Sequence, residues 1–388
     1  MLNCCGHYEK FCTNFSGLPE APCEGNVLSR QSRHLPLLAS LLTLLLLLTV
    51  GCSAADPQNT LGSNLGIVAK KQADLFWTVF AWATIVFVFV ESLLLFTVWR
   101  FRRREGAPEP HQTHGNTRLE IGWTVVPALI LITVAVPTVS LLWELAAQPA
   151  VAVDVNVIGH QWWWEFQYPN MGTTDISNPS PSWGPTCPSC LVTANELHIP
   201  QGETVEFHLT SADVIHSFWV PKLGGKLDVV PGKTQSFWLR GDEPGMFYAQ
   251  CAELCGIQHA NMKFRVVVDT REKFNQWVQA QRQAPRPPDA SALEGKGAEV
   301  FKAPANACVG CHTVQGVSAG KLGPNLTHIG SRTTIAAGVL DNTPENLKRW
   351  IHNPDDIKPG NLMAPAVRAL NLSNDDLTAL AAYLTSLK

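Results

Sequence analysis

Cys251-Ala-Glu-Leu-Cys255-Gly-Ile-Gln-His259-Ala-Asn-Met262 puts two thiols, an imidazole and a thioether into one short stretch. Soft sulfur together with imidazole is the ligand set that selects copper in electron-transfer sites. One mononuclear copper needs a single Cys, whereas two thiolates can bridge two coppers, each completed by further ligands. A second His is then required, and Asp213-Val-Ile-His216-Ser-Phe-Trp supplies it from an earlier segment. The plain alternative is a Cys251–Cys255 disulfide with His259 on the surface; His at +4 and Met at +7 from Cys255 count against it.

Around this stretch the chain reads as short strands. Val151, Val153, Val155 and Val157 alternate with Ala152, Asp154 and Asn156, and Val205, Phe207 and Leu209 alternate with Thr204, Glu206 and His208. Thr234–Leu239, Met246–Cys251 and Lys263–Val268 are further candidates, with turn signals at Pro231-Gly232 and Pro244-Gly245. Many short strands at this spacing predict a β-sandwich or barrel over 150–270.

The chain has 388 residues, 46% hydrophobic and 16% charged, with a formal net charge of −3. That length suggests two or three domains. The 13 Trp and 16 Phe exclude a disordered chain, and the near-neutral balance excludes a nucleic-acid binder. Leu75–Trp99 has Glu91 as its only charge and is long enough for a hydrocarbon core of roughly 30 Å. Arg100, Arg102, Arg103 and Arg104 follow at once, which places that end in the cytoplasm. Ile121–Leu145 returns, with Pro127 and Pro137 tolerated inside a packed span. A two-helix transmembrane hairpin over 65–148 follows, with both chain ends outside the cytoplasm. Glu91 in lipid is costly unless it faces protein or water, so a larger membrane partner is implied.

Upstream, Arg30 and Arg33 precede the apolar run Leu35–Val50 and then Gly51-Cys52, the layout of a secretory signal over 1–52. Cys directly after it resembles a bacterial lipoprotein box, with Thr49 standing where Leu is more usual and Cys52 as the lipidated residue. The alternative is an uncleaved apolar anchor. Residues 1–29 fit neither pattern, and translation is expected to begin near Val27 or Leu28.

Residues 271–290, Pro-rich from 281, read as a linker. Beyond it, helices are announced by Thr343-Pro344-Glu345 and by Ser373-Asn-Asp-Asp376, the latter followed by Leu377, Leu380, Ala381 and Leu384. Cys308-Val-Gly-Cys311-His312 is the covalent c-type haem attachment pattern. Met363 is the only Met after Met262, hence the one thioether available as a second axial ligand; His328 and His352 are its rivals. Cys187-Pro-Ser-Cys190 closes a Pro/Ser-rich insertion; a small structural disulfide is expected there, ahead of a redox or metal role.

These motifs resemble two families. His114-Gly-Asn-Thr-Arg-Leu-Glu120, Gln161-Trp-Trp-Trp-Glu-Phe, Glu196-Leu-His-Ile-Pro200, Asp213-Val-Ile-His-Ser-Phe and the Cys251–Met262 stretch resemble cytochrome c oxidase subunit II over roughly 65–270. Residues 291–388, with Gly323-Pro-Asn-Leu326, resemble class I cytochromes c. The resemblance implies a multi-domain membrane protein: a transmembrane hairpin, an all-β cupredoxin domain with the dinuclear copper A centre (CuA), and an all-α cytochrome c domain with covalent haem c. Carried over by position, Cys251 and Cys255 bridge the coppers, and His216, His259 and Met262 are terminal ligands. Glu253 ligates through its carbonyl, with its carboxylate reaching a magnesium ion shared with the catalytic subunit. Trp162 matches the aromatic electron-entry residue, Glu120 the carboxylate at a proton-channel mouth, and Pro324 the carbonyl that holds the haem-ligating His312. An ordinary acid at a helix start is the other reading of Glu120.

The implied protein is the electron-input subunit of a caa-type oxidase in a bacterial cytoplasmic membrane, with its copper and haem domains on the periplasmic side. Electrons would pass from a c-type donor through haem c and CuA to the haem-copper site of subunit I, where dioxygen is reduced to water and protons are pumped. Subunit III is a further expected partner. The alternative partner is a nitric oxide reductase-type complex. A copper-delivery lipoprotein is disfavoured, because a carrier needs neither haem nor two spans.

Overall fold

The structure is a computed structural model describing residues 40, 42–43, 56–62, 65–106, 108–109, 111–147, 149–169, 171, 190–303 and 308–388. Apart from residues 40 and 42–43, the signal-like segment, with Cys52, lies outside the described residues, as does Cys187. Two long helices come first, α1 (Ile67–Phe101) and α2 (Thr117–Ala146), both longer than the spans read from hydropathy. Their polar ends account for the difference: α1 gains about two turns that include Lys70 and Lys71, and α2 is capped by Asn116, whose side chain accepts from the Arg118 and Leu119 amides. Along their middles the apolar side chains are exposed, among them Phe87, Leu95 and Leu131, as befits a lipid or protein neighbour. Lys71 pairs with Glu144 where the two helices meet the β domain.

The β domain is two five-stranded sheets. One runs β3 (Leu191–Ala194), β2 (Trp163–Tyr168), β1 (Val153–His160), β5 (Val205–Ser211), β8 (Gln235–Leu239). The other runs β4 (Glu196–Pro200), β10 (Lys263–Asp269), β9 (Gly245–Cys251), β6 (His216–Trp219), β7 (Leu227–Val229). β1–β5 and β4–β10 are parallel, and the remaining pairs are antiparallel. Inward side chains interdigitate between the sheets: the Phe218 ring lies 4.9 Å from Phe264 and edge-on to Trp164 at 5.8 Å. The sandwich sits on the helix ends, with the Gly66 amide donating to Lys222 O (2.8 Å) and Trp238 Nε1 to Leu145 O (3.1 Å).

Part of the expected linker is ordered differently. Arg271–Arg282 forms helix α3, N-capped by Thr270, and buries Phe274 and Val278 in the β-domain core. Its apolar residues at helical spacing dock on the sandwich, so the linker reading of 271–290 holds at most for the Pro-rich part beyond 282.

The C-terminal unit is helical: α4 (Leu293–Lys302), the single turn α5 (Cys308–Cys311), α6 (Pro344–His352), α7 (Ala364–Leu370) and α8 (Asn374–Ser386). Thr343 caps α6 and a reciprocal Ser373/Asp376 pair caps α8. α4 crosses α8 at Gly297, where a Cβ would stand 2.0 Å from Ala379 O.

Candidate metal centre and haem cavity

β9 ends at Cys251, the loop returns through Cys255 and a short turn at His259–Asn261, and β10 begins after Met262. β6 lies beside β9 and brings in His216, which is wholly buried. The expected copper-binding side chains are thereby brought together. Cys251 Sγ stands 3.8 Å from Cys255 Sγ, and both are free thiols, which removes the disulfide alternative. His216 Nδ1 is 4.0 Å from Cys251 Sγ; His259 Nδ1 and Met262 Sδ are each 3.8 Å from Cys255 Sγ. Glu253 presents its carbonyl oxygen 3.2 Å from Cys251 Sγ while its side chain is exposed.

The electrostatics suit a cation. The hydrogen bond with Cys255 holds the Cys251 thiol down to about 3, aided by His216 and the Ser217 amide against the opposing effect of burial. The Cys255 thiol is pushed up in turn by the neighbouring thiolate. Two buried sulfurs sharing one proton, with two imidazole nitrogens and a thioether aimed at them, are a donor set that fits soft metal.

Asp213, quoted in the sequence motif without a role, is the residue that reading missed. Its Oδ1 lies 2.8 Å from His216 Nε2, which leaves Nδ1 turned toward the sulfurs. The signal was there, an acid three residues before a candidate ligand. Gly159 makes the ring's place: a Cβ there would stand 2.7 Å from His216 Cδ2.

On the other side of the copper loop, Trp162 Nε1 and Gln161 Nε2 donate to Cys255 O at 2.9 and 2.8 Å. Gly256, at φ +119°, permits the indole to lie against the loop, since a Cβ would meet Trp162 Cζ2 at 3.0 Å. Trp162 is only 9% exposed, so the residue matched to surface electron entry is covered. It lines a cavity of about 390 Å³ onto which Cys308, Cys311, His312 and Met363 also open.

That cavity fits haem. His312 Nδ1 lies 2.8 Å from Pro324 O, and burial keeps the imidazole neutral by holding its pKa below the ordinary value, the form a metal ligand needs. Arg332 also lines the cavity; burial pushes it down to about 10, and its Nε has no partner among the described residues. An unspent buried N–H of a guanidinium suits a carboxylate substituent of the ring. His328, engaged near Gln281 O, and exposed His352 do not line the cavity, whereas Met363 does.

Comparison with known proteins settles the family. Residues 66–141 match the transmembrane domain of cytochrome c oxidase subunit II, 153–270 its periplasmic domain, and 295–388 cytochrome c. Cytochrome c oxidase subunit 2 of Alkalihalophilus pseudofirmus is 40% identical over 371 residues, covering 92% of this chain and 97% of that protein. The chain belongs to the cytochrome c oxidase subunit II family. The Bacillus subtilis subunit 2 is 36% identical over 371 residues, covering 90% of this chain and 96% of that one. The crystal structure of the periplasmic domain of subunit II from Bradyrhizobium japonicum is 31% identical over 34% of this chain and 96% of that chain, with a TM-score of 0.28.

Two further residues singled out in the sequence have defined surroundings. Glu120 Oε1 accepts from the Asn116 amide at 3.2 Å and so closes the cap of α2, which supports its reading as an acid at a helix start. Cys190 is disulfide-bonded, in keeping with the disulfide expected in that insertion.

Proposed function

We propose that this subunit II takes electrons from a c-type donor at its cytochrome c domain and hands them through Trp162 to the copper loop, for delivery to the haem-copper site of subunit I. Bound haem and copper supply the one-electron chemistry. Cys308 and Cys311 would carry haem covalently, with His312 and Met363 as axial ligands and Pro324 O orienting His312. Cys251 and Cys255 would bridge two coppers completed by His216, His259, Met262 and Glu253 O. The observation that carries the reading is Trp162: its ring lines the cavity of Cys308 and Met363 while its N–H is bonded to Cys255 O.

The exposed Glu253 carboxylate and Leu254, 76% exposed at the loop tip, give a partner both a magnesium ligand and an apolar contact. Subunit I would cover this tip, and subunits I and III would cover α1 and α2, including Glu91. The β and cytochrome domains would lie on the periplasmic side of a bacterial cytoplasmic membrane, with Cys52 lipidated at the mature N-terminus and Glu120 near a proton-channel mouth. Dioxygen reduction coupled to proton pumping in the partner subunit belongs to the same proposal, and the relatives' name, cytochrome c oxidase subunit 2, supports an oxidase over a nitric oxide reductase.

The purified complex is expected to consume oxygen with a reduced c-type donor. Cys255→Ser should abolish that turnover and the mixed-valence two-copper EPR pattern while leaving the haem c spectrum intact. A two-copper pattern retained in Cys255→Ser would defeat the bridging assignment. An active complex without covalent haem c would defeat the route.

A further inference from the structure

Lys358 is only 4% exposed, yet among the described residues no carboxylate receives it. Lysine is almost never fully buried unless paired, and replacing a buried charge by an apolar side chain of similar volume is often neutral or stabilising. Stability alone therefore does not explain an amine here. What the amine adds is a directed bond between domains: Nζ donates to Trp162 O at 2.9 Å, its one hydrogen bond among the described residues.

The bond continues into the haem cavity. Asn361 Nδ2 donates to Lys358 O at 2.8 Å, and Asn361 Oδ1 accepts from the Met363 and Ala364 amides at 3.1 and 3.0 Å. Met363 is thus tied through Asn361 and Lys358 to Trp162, and Trp162 through its indole to Cys255 O. Two neighbouring contacts support the junction. Gln258 Nε2 donates to Pro359 O, and Gly360, at φ +76°, is packed so that a Cβ would stand 2.3 Å from Ile257 Cδ1. The far edge of the domain interface is held separately, by the Thr333 amide on Glu196 Oε2 (2.8 Å) and by Arg265 on Gly338 O (3.1 Å).

We propose that Lys358 is a positioning residue that clamps the Met363-bearing loop to Trp162 and so fixes the spacing between the haem cavity and the copper loop. The proposal rests on the electron route given under Proposed function. Because the far edge is independent, losing Lys358 leaves the domains docked and lets only the Met363 loop shift.

The test compares Lys358→Met, of similar length and without a donor, with Lys358→Arg in the whole purified complex. Haem c is reduced by a flash, and the haem and copper bands are followed separately; haem midpoint potential and copper EPR are recorded alongside. Electron transfer weakens as the spacing between its centres grows, so interdomain transfer in Lys358→Met should fall severalfold, with Lys358→Arg restoring most of it. The haem potential and the two-copper pattern should stay as in the wild type. A wild-type transfer rate in Lys358→Met overturns the proposal. So does a slowing fully accounted for by a shifted haem potential, which would make Lys358 an electrostatic group. Loss of the haem or copper signal itself also overturns it, since Lys358 would then build a site instead of spacing two. A wild-type complex lacking haem c or two-copper signals would instead sink the electron route.

Discussion

Asp213 is the smallest unit on which the copper site depends beyond its donors. Burial works to raise its carboxyl, but hydrogen bonds from His216, the Val214 amide and the Gln161 amide hold it below the ordinary Asp range. The anion therefore persists beside His216 Nε2, fixing which ring nitrogen is left for metal. Outer partners of this kind are typically worth 10–100-fold in metal affinity. Asp213→Asn keeps the shape and an acceptor oxygen but loses the charge, and copper retention should fall by about 10–100-fold in a chelator titration. The haem c spectrum, set by residues of another domain, should not change. Copper bound as tightly as in the wild type would reduce Asp213 to a turn residue, a role its bonds to Val214 and Gln161 could fill alone.

Among the elements, the crossing of α4 and α8 is the tightest contact. The absent side chain of Gly297 lets α4 approach until a Cβ would overlap Ala379 O, and Phe301 then meets Tyr383 at a tilt, with ring centroids 5.6 Å apart. Overpacking a well-filled core costs about 1–3 kcal/mol, so Gly297→Ala should lower the thermal midpoint of the cytochrome domain by that equivalent. Scanning calorimetry or the loss of the haem band on heating would measure it; an unchanged midpoint would mean that the helices slide apart freely. The caps of α6 and α8 were legible because Thr343 and Ser373 bond amides three residues on, a purely local signal. Helix α3 is harder to see in the sequence although Phe274, Trp277 and Val278 recur at helical spacing, because its other residues are mostly polar and a Pro-rich run adjoins it. The parallel pairing of β1 with β5 was not legible for a different reason. It joins residues about fifty positions apart through a register that no local pattern encodes.

At the scale of the molecule, the sequence carried each domain but not their docking. Cys308, His312 and Met363 lie in recognisable local patterns, whereas the wall that Trp162 gives their cavity depends on contacts such as Lys358 with Trp162, 196 residues apart. That docking changes what the matched tryptophan can do, because a side chain 9% exposed and covered by a second domain offers a soluble donor little surface. On the proposed route the cytochrome domain would be the entry, and Met363, as the proposed iron ligand, would set its readiness to accept an electron. A thioether is a weaker donor to ferric iron than imidazole, so Met363→His should keep covalent haem and lower its potential. For a one-electron couple, each ~59 mV lowers the equilibrium constant for acceptance tenfold. The variant should accept electrons poorly from a high-potential c-type donor, while flash-induced transfer onward to the copper loop is at least as favourable as before. Trp162→Ala should do the reverse, leaving acceptance unchanged and slowing the onward step. Stopped-flow mixing with the donor separates the two steps. Copper reduced at the wild-type rate in Met363→His would mean that electrons bypass the cytochrome domain, and the covered position of Trp162 would have to open in solution.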